Sequence, residues 1–255
     1  MYNLLKNLDK ALLGGSLWRR KRERRNRESE AAVSDGLAFK YSVHYQKNRS
    51  DPLAELCDKY GSDKGEIKSS GHPYQWPSHN YTDYYSRLFS HCRTHIQRVF
   101  ECGLGTNNPA LPSSMGESGK PGASLRAWRD YFPSAIIYGG DIDRGILFQE
   151  ERIRTSYIDQ LNTNAIADFW AWAGVENFDL MIDDGLHSFE AGSNLFSNSF
   201  QYLSPTGIYV IEDFSIEDIL RFKAFFRDSE FCVEYVTLFR PNSKLGSNNL
   251  VVIRR

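Results

Sequence analysis

Phe178-Asp179-Leu180-Met181-Ile182-Asp183-Asp184-Gly185-Leu186-His187 is an apolar run that ends in two carboxylates, a glycine and a histidine. The run has the length and composition of a buried strand, and its ionisable residues mark the strand's carboxyl end. Ligands of a parallel sheet bind beyond the carboxyl ends of its strands, so Asp184 and His187 are expected to face a site. Downstream, Gly207-Ile208-Tyr209-Val210-Ile211-Glu212-Asp213-Phe214 repeats the design, a β-branched strand ending in paired acids. Two neighbouring strands delivering Asp184, Glu212 and Asp213 suit a hard divalent cation, which takes oxygen ligands. The bland alternatives are a solvated acid pair for Glu212 and Asp213 and a helix-capping or packed ring for His187.

Upstream, Arg98-Val99-Phe100-Glu101-Cys102-Gly103-Leu104-Gly105 reads as a strand ending in a glycine turn, where a ligand can approach the backbone closely. The third glycine of a dinucleotide fingerprint is missing, because a loop over residues 106–122 intervenes before a helix at 123–131. A strand over 135–141 then ends in Asp141, placed to accept from ribose hydroxyls, with Asp143 as second choice. A strand at 153–158 leads to Asp159 and Gln160, whose side chains can read an adenine edge. Helices at 166–172, 188–203 and 216–226, and two final strands at 231–239 and 249–253, complete the pattern. Alternating βα units closed by a hairpin predict an α/β fold, a seven-stranded mixed sheet with its last hairpin antiparallel and helices on both faces.

The chain of 255 residues carries a formal net charge of −1, but Arg19-Arg20-Lys21-Arg22-Glu23-Arg24-Arg25-Asn26-Arg27 concentrates basic residues near the start. The remainder is therefore net acidic, which excludes bulk nucleic-acid binding. Four dispersed cysteines without a CxxC pair fit reduced thiols, and hence a cytoplasmic protein. No apolar run reaches the ~20 residues of a membrane span, and the basic cluster follows the apolar part, against the order of a signal peptide. Leu4, Leu5, Leu8, Leu12 and Leu13 recur at helical spacing before that cluster. Residues 1–35 thus read as an amphipathic basic helix and linker. Two uses stay open: peripheral contact through residues 1–27 with the inner face of a membrane, or packing and oligomerisation.

Residues 36–97 form a helical and aromatic segment ahead of the core at 98–255. A helix from Leu53 stops at Gly61, another starts near Tyr84, and the loop between them carries Trp76 and His79-Asn80-Tyr81. Long aromatic loops in compact domains are commonly lids, so Trp76, His79 and Tyr81 are expected over a substrate; an ordinary packed loop is the alternative. His91 and His95 have helical spacing but no third metal ligand nearby.

Several of these pieces share one order: Asp58-Lys59-Tyr60-Gly61-Ser62-Asp63-Lys64, His79-Asn80-Tyr81, Gly122-Ala123-Ser124-Leu125-Arg126-Ala127-Trp128, Tyr138-Gly139-Gly140-Asp141-Ile142-Asp143, Asp183-Asp184-Gly185-Leu186-His187 and Val210-Ile211-Glu212-Asp213. In that order they resemble a class I S-adenosylmethionine-dependent methyltransferase. The resemblance is to the macrocin and mycinamicin sugar O-methyltransferases and the cephalosporin-hydroxylase-like proteins grouped with them, over residues 53–253. It implies a Rossmann-like core with an N-terminal helical lid and, as cofactors, S-adenosylmethionine with Mg2+ or Mn2+. It also implies Glu101, Gly103 and Gly105 against the methionine part, Asp141 against the ribose, and Asp159 and Gln160 near the adenine. Tyr60, Ser62, Ser124, Asp143 and Asp183 fall in the same cofactor-side pieces, although the residues themselves give Asp183 no role. A magnesium site from Asp184, Glu212 and Asp213 with His187 as general base is implied as well. Leu186 stands where those sugar enzymes carry a small polar residue, which implies a different acceptor pocket.

Such an enzyme would methylate a sugar hydroxyl of a bacterial surface glycan or a glycosylated metabolite, as an expected homo-oligomer. The ion would acidify the hydroxyl, and His187, with a reference pKa near ~6.5, would take the proton. The competing readings are a catechol or other small diol as acceptor, a nicotinamide-binding oxidoreductase, and a non-catalytic interaction protein.

Overall fold

The computed structural model describes residue 43 and residues 51–66, 73–74, 76–239 and 247–255. The basic segment 1–27, with the membrane contact and oligomerisation expected of it, lies outside the described residues. The described residues from 51 to 255 form one compact unit.

Asp51 opens α1 (Pro52–Tyr60) by accepting from the Leu53 amide, Pro52 occupies the first turn where no donor is needed, and Gly61 ends the helix at φ +83°. Helix α2 (Tyr81–Phe89) follows the aromatic segment; it begins and ends earlier than its periodicity suggests, so His91 and His95 sit exposed in turns. The sheet is then built from β1 (Arg98–Cys102), β2 (Ile136–Asp141), β4 (Ile153–Tyr157), β5 (Phe178–Asp183) and β6 (Leu203–Glu212), all parallel. Antiparallel β8 (Asn249–Arg254) and β7 (Cys232–Thr237) extend it past β6. Helices α3 (Ala123–Tyr131), α4 (Thr163–Ala173), α5 (Phe189–Ser199) and α6 (Ile216–Phe226) link the strands.

The sheet has eight strands, not the seven expected, in the order β3-β4-β2-β1-β5-β6-β8-β7. The additional strand β3 (Gln149–Glu150) is two exposed residues pairing antiparallel with β4, too short to carry a period-2 signal. Its Glu150 is nevertheless held, by Arg126 and Arg129 of α3.

Side chains of a strand alternate between faces, and β1 shows the consequence. Phe100 packs on Phe169 and Trp170 of α4, while its neighbour Glu101 turns to Ser124 and Trp128 of α3. Because β1 lies between β2 and β5, the chain winds outward in one direction, then returns and winds in the other. The crevice at the carboxyl ends of β1 and β5 is therefore the topological switch point where α/β sheets take ligands. No helix among the described residues is long and apolar enough to cross a membrane. The four cysteines are free thiols.

Away from the crevice, α1 is tied to α3 through Asp130, which accepts from the Tyr60 hydroxyl (2.5 Å) and Lys59 Nζ (3.2 Å) on one oxygen and Arg129 Nε (2.9 Å) on the other. Burial opposes ionisation, but Tyr60, Arg129 and Lys59 outweigh it and lower the carboxyl to about 2. A depressed folded pKa adds stability above the unfolded value of ~3.9 and loses it as pH falls toward 2. Asp130→Asn is expected to cost about 1 kcal/mol at neutral pH, discounted for partial exposure. Urea midpoints of variant and wild type should converge near pH 2; a gap unchanged between pH 7 and 2 would refute this account.

Candidate active site

Strand ends bring the charged groups together. Past β1, Gly103 turns at φ +94° and its amide donates to Gly140 O (2.8 Å), while the Asp184 amide donates to Cys102 O (2.8 Å). The ladder thus continues one residue beyond β1 and β5, which fixes Asp184 at the crevice mouth. His187 at φ +57° and Asp213 at φ +55° both adopt the left-handed conformation that non-glycine residues avoid. Backbone strain of this kind costs about 1–3 kcal/mol and is concentrated at functional sites. Ser188 then caps α5 by accepting from the Ala191 amide, so His187 is held in a taut connection between Asp184 and the helix start.

The centre of the cluster is Lys64, from the loop after α1, whose side chain is 3% exposed. Its ammonium donates to Asp184 Oδ2 (2.6 Å) and to Glu212 Oε2, and lies 3.4 Å from Glu101 Oε1. Glu101 also accepts from Ser124 Oγ (2.7 Å) and Trp128 Nε1 (2.5 Å), and Glu212 from the Tyr85 hydroxyl (2.5 Å). Burial raises Glu101 and Glu212 above the usual carboxylate range against the pull of Lys64. Asp184 goes the other way: burial is overcome by the Lys64 and His187 charges, which hold it well below that range.

His187 meets acids on both nitrogens, Nε2 at 3.3 Å from Asp184 Oδ1 and Nδ1 at 3.7 Å from Asp213 Oδ2. Burial favours the neutral ring, but Asp184, then Asp213 and Asp183, push its pKa up to about 9. The reference value near ~6.5 therefore does not apply to this ring. On its far side Asp213 faces His79 Nε2 at 3.7 Å.

A cavity of about 470 Å³ joins this cluster to the glycine turn, within the range of small-molecule sites. Asp141, Asp159, Gln160, Asp184, Glu212, Asp213 and His187 all line it, as do Gly103 and Gly105. So do Ile142 and Leu161, large apolar side chains left 47% and 59% exposed at the mouth, where a flat apolar ring would cover them. Asp141 is anchored by the amides of Leu104 (2.7 Å) and Asp143 (2.8 Å), which aims its carboxylate at the crevice.

Other expected cofactor residues are engaged elsewhere. Tyr60 is committed to Asp130, and Ser62, buried in the turn after α1, accepts from the Lys64 amide; neither lines the cavity. Glu101 and Ser124 are bonded to each other behind the cavity wall. Asp143 caps a 3-10 turn through Gly145 and receives the Thr106 hydroxyl (2.5 Å). Gln160 lines the cavity, where its amide donates to Asp183 Oδ1 (2.6 Å) and accepts from the Leu186 amide (2.7 Å). Asp183 is buried and raised to about 6 by burial; it holds Gln160 and the Gly185 amide, a role in shaping the wall.

The aromatic segment also contributes to the cavity. Trp76, His79 and Tyr81 line the cavity, held by Trp76 Nε1 donating to Asp63 (2.8 Å), by His79 Nδ1 against Asn248 Oδ1 (3.2 Å) and by the Tyr81 hydroxyl donating to Ser247 O (3.0 Å). From the 106–122 loop, Met115 and its neighbours Pro112 to Ser114 line the cavity too. Sequence reasoning missed Lys64, Tyr85 and Met115. Of these only Lys64 had a signal, its place in the Gly-Ser-Asp-Lys piece.

Among the described residues no three His, Cys, Asp or Glu side chains converge as a metal cage requires. Lys64 takes the space between Asp184 and Glu212, and Asp213 looks toward the two imidazoles. The donor chemistry still fits a hard cation: Asp184, Glu212 and Asp213 all line the cavity, and Asp213 Oδ1 is buried without a hydrogen-bond partner.

No family model matches the chain. It is 35% identical over 158 residues to the demethylmacrocin O-methyltransferase of Streptomyces fradiae, covering 62% of this chain and 38% of that protein. It is 31% identical over 192 residues to the L-olivosyl-oleandolide 3-O-methyltransferase of Streptomyces antibioticus, covering 73% of this chain and 43% of that protein. Among solved structures, the MycE methyltransferase of the mycinamycin biosynthetic pathway, in complex with Mg, SAH and mycinamycin VI, superposes with a TM-score of 0.50 at 31% identity, over 65% of this chain and 38% of that one. A second MycE structure, at 24% identity, shares the fold with a TM-score of 0.56 over 82% of this chain. The chain spans about two fifths of the length of the curated relatives it matches. It has the Rossmann-like fold of the class I methyltransferases and is related in sequence to the macrocin and mycinamicin sugar O-methyltransferases.

Proposed function

We propose that the chain transfers the methyl group of S-adenosylmethionine to a sugar hydroxyl of a glycosylated metabolite, assisted by Mg2+ or Mn2+. The observation that carries this reading is that one cavity is lined both by the glycine turn and Asp141 and by Asp184, His187 and Asp213. The activities of the relatives, O-methylation in the macrocin and olivosyl-oleandolide series, favour a small glycoside over a surface glycan. In this reading residues 36–97 act as the lid and 98–255 as the catalytic core.

Gly103 and Gly105 allow the methionine part to lie against the backbone, Asp141 orients the ribose, and Ile142 and Leu161 cover the adenine. Trp76 and Tyr81 exclude water from the acceptor. Asp184 and Asp213, with Glu212 behind them, would hold the divalent ion, which supplies Lewis acidity to an acceptor hydroxyl and offsets the acids that keep His187 protonated. His187 takes the hydroxyl proton, and the flanking Asp184 and Asp213 carboxylates stabilise the imidazolium that results. S-Adenosylmethionine would supply the methyl group to that oxygen, its S–CH3 bond breaking to leave S-adenosylhomocysteine while the hydroxyl proton stays on His187.

The test is a panel of glycosides incubated with the protein, S-adenosylmethionine and Mg2+, read by mass spectrometry. One added methyl on a sugar, abolished by chelator, is expected. Methylation of catechols alone, or binding of NAD with none of S-adenosylhomocysteine, would replace this proposal.

A further inference from the structure

Lys64, at the centre of the charge cluster, is used by neither the cofactor nor the acceptor chemistry proposed above. Its ammonium has three N–H donors and faces three carboxylates, Asp184, Glu212 and Glu101, at 3% side-chain exposure. Two of those acids are the ones proposed to hold a divalent ion, while the third, on β1, is fixed behind the wall by Ser124 and Trp128. Glu212 is likewise pinned on its other oxygen by Tyr85. A loop of the lid segment thus places a permanent positive charge between the proposed ion ligands, enclosed enough that solvent and salt screen it little.

We infer that Lys64 is a positioning residue of the ion site, a resident counter-cation that holds Asp184 and Glu212 in place and keeps divalent-ion binding weak and exchangeable. The inference rests on the reading of these acids as an ion site. An ion engaging Asp184 or Glu212 lies close to the ammonium, which has already neutralised part of their charge. Like charges repel, so each approach of the ion is made against Lys64. Glu101 moderates that repulsion by sharing the ammonium from the opposite side. Affinity should therefore respond in opposite senses to removing the cation and to removing its third acid.

The experiment titrates Mn2+ into the 255-residue chain without cofactor, following free Mn2+ by electron paramagnetic resonance, with circular dichroism to verify folding. Lys64→Gln is expected to bind Mn2+ about tenfold tighter or more, and Glu101→Gln, which leaves all three proposed ligands in place, about threefold weaker or more. Affinity that is unchanged or weaker in Lys64→Gln, or unchanged or tighter in Glu101→Gln, overturns the inference and leaves Lys64 as a structural strut. Should Lys64→Gln not fold, the direction of the Glu101→Gln change decides alone. If neither wild type nor the folded Lys64→Gln variant binds Mn2+, the ion reading itself fails and takes this inference with it, whereas binding by both with equal affinity rejects the role of Lys64 only.

Discussion

His187→Ala is expected to lower kcat by about 10²- to 10⁴-fold, the usual worth of a positioned general base, while S-adenosylhomocysteine binds within about threefold of wild type. The separation follows from the partners: the His187 ring faces the Asp184 and Asp213 carboxylates, whereas Asp141, proposed for the ribose, is held by the Leu104 amide. Alanine also inherits the strained backbone at φ +57°, so a misplaced loop is a rival explanation for lost activity. Asparagine tolerates the left-handed region better than alanine does and separates the two. If the ring acts as base, His187→Asn is as inactive as His187→Ala; if the backbone is at fault, asparagine restores most of kcat. Single-turnover rates with saturating cofactor distinguish these outcomes, and activity in His187→Ala within a factor of ~3 of wild type would remove the base from the mechanism.

The strands were legible because burial on both faces forces an unbroken apolar run, and the acids that end such a run have nowhere to go but the crevice. That logic located Asp184, Glu212, Asp213, His187 and Asp141 at one cavity. It failed for Lys64, because no local period distinguishes a lysine in a Gly-Ser-Asp-Lys-Gly turn that is solvated from one that crosses to meet β1, β5 and β6. It failed for Tyr60 for the opposite reason: a residue in a recognisable piece was given to the cofactor, yet its hydroxyl closes the α1 to α3 contact through Asp130. Gln160 shows a third limit. Its position beside Asp159 was read correctly, but its two hydrogen-bonding ends are used by Asp183 and Leu186, partners 23 and 26 residues away that only the folded sheet brings near. The two-residue β3 escaped notice because pairing alone, not composition, makes it a strand.

The glycine turn was the least specific signal in the sequence, and it carries the largest stability effect. Gly103→Ala is expected to destabilise the protein by about 3–5 kcal/mol, against about 1 kcal/mol for Gly105→Ala. Both glycines have positive φ, +94° and +76°, so both substitutions incur backbone strain; the difference lies in what a Cβ would meet. At Gly105 it comes 3.1 Å from Met115 Cγ, a flexible side chain that can withdraw. At Gly103 it would lie 2.0 Å from the Asp184 carbonyl oxygen and 2.5 Å from its carbon, and that backbone cannot withdraw cheaply. The Asp184 amide is bonded to Cys102 O and the Gly103 amide to Gly140 O, so relief means breaking the ladder at the ends of β1, β2 and β5 together. The same shift would carry Asp184 away from Lys64 and His187, which predicts loss of Mn2+ binding in any fraction of Gly103→Ala that stays folded. Urea unfolding of the two alanine variants beside wild type measures the gap. Equal midpoints for the two would mean that the β5 connection yields easily, and that the crevice is held open by something other than the close approach of Gly103 to Asp184.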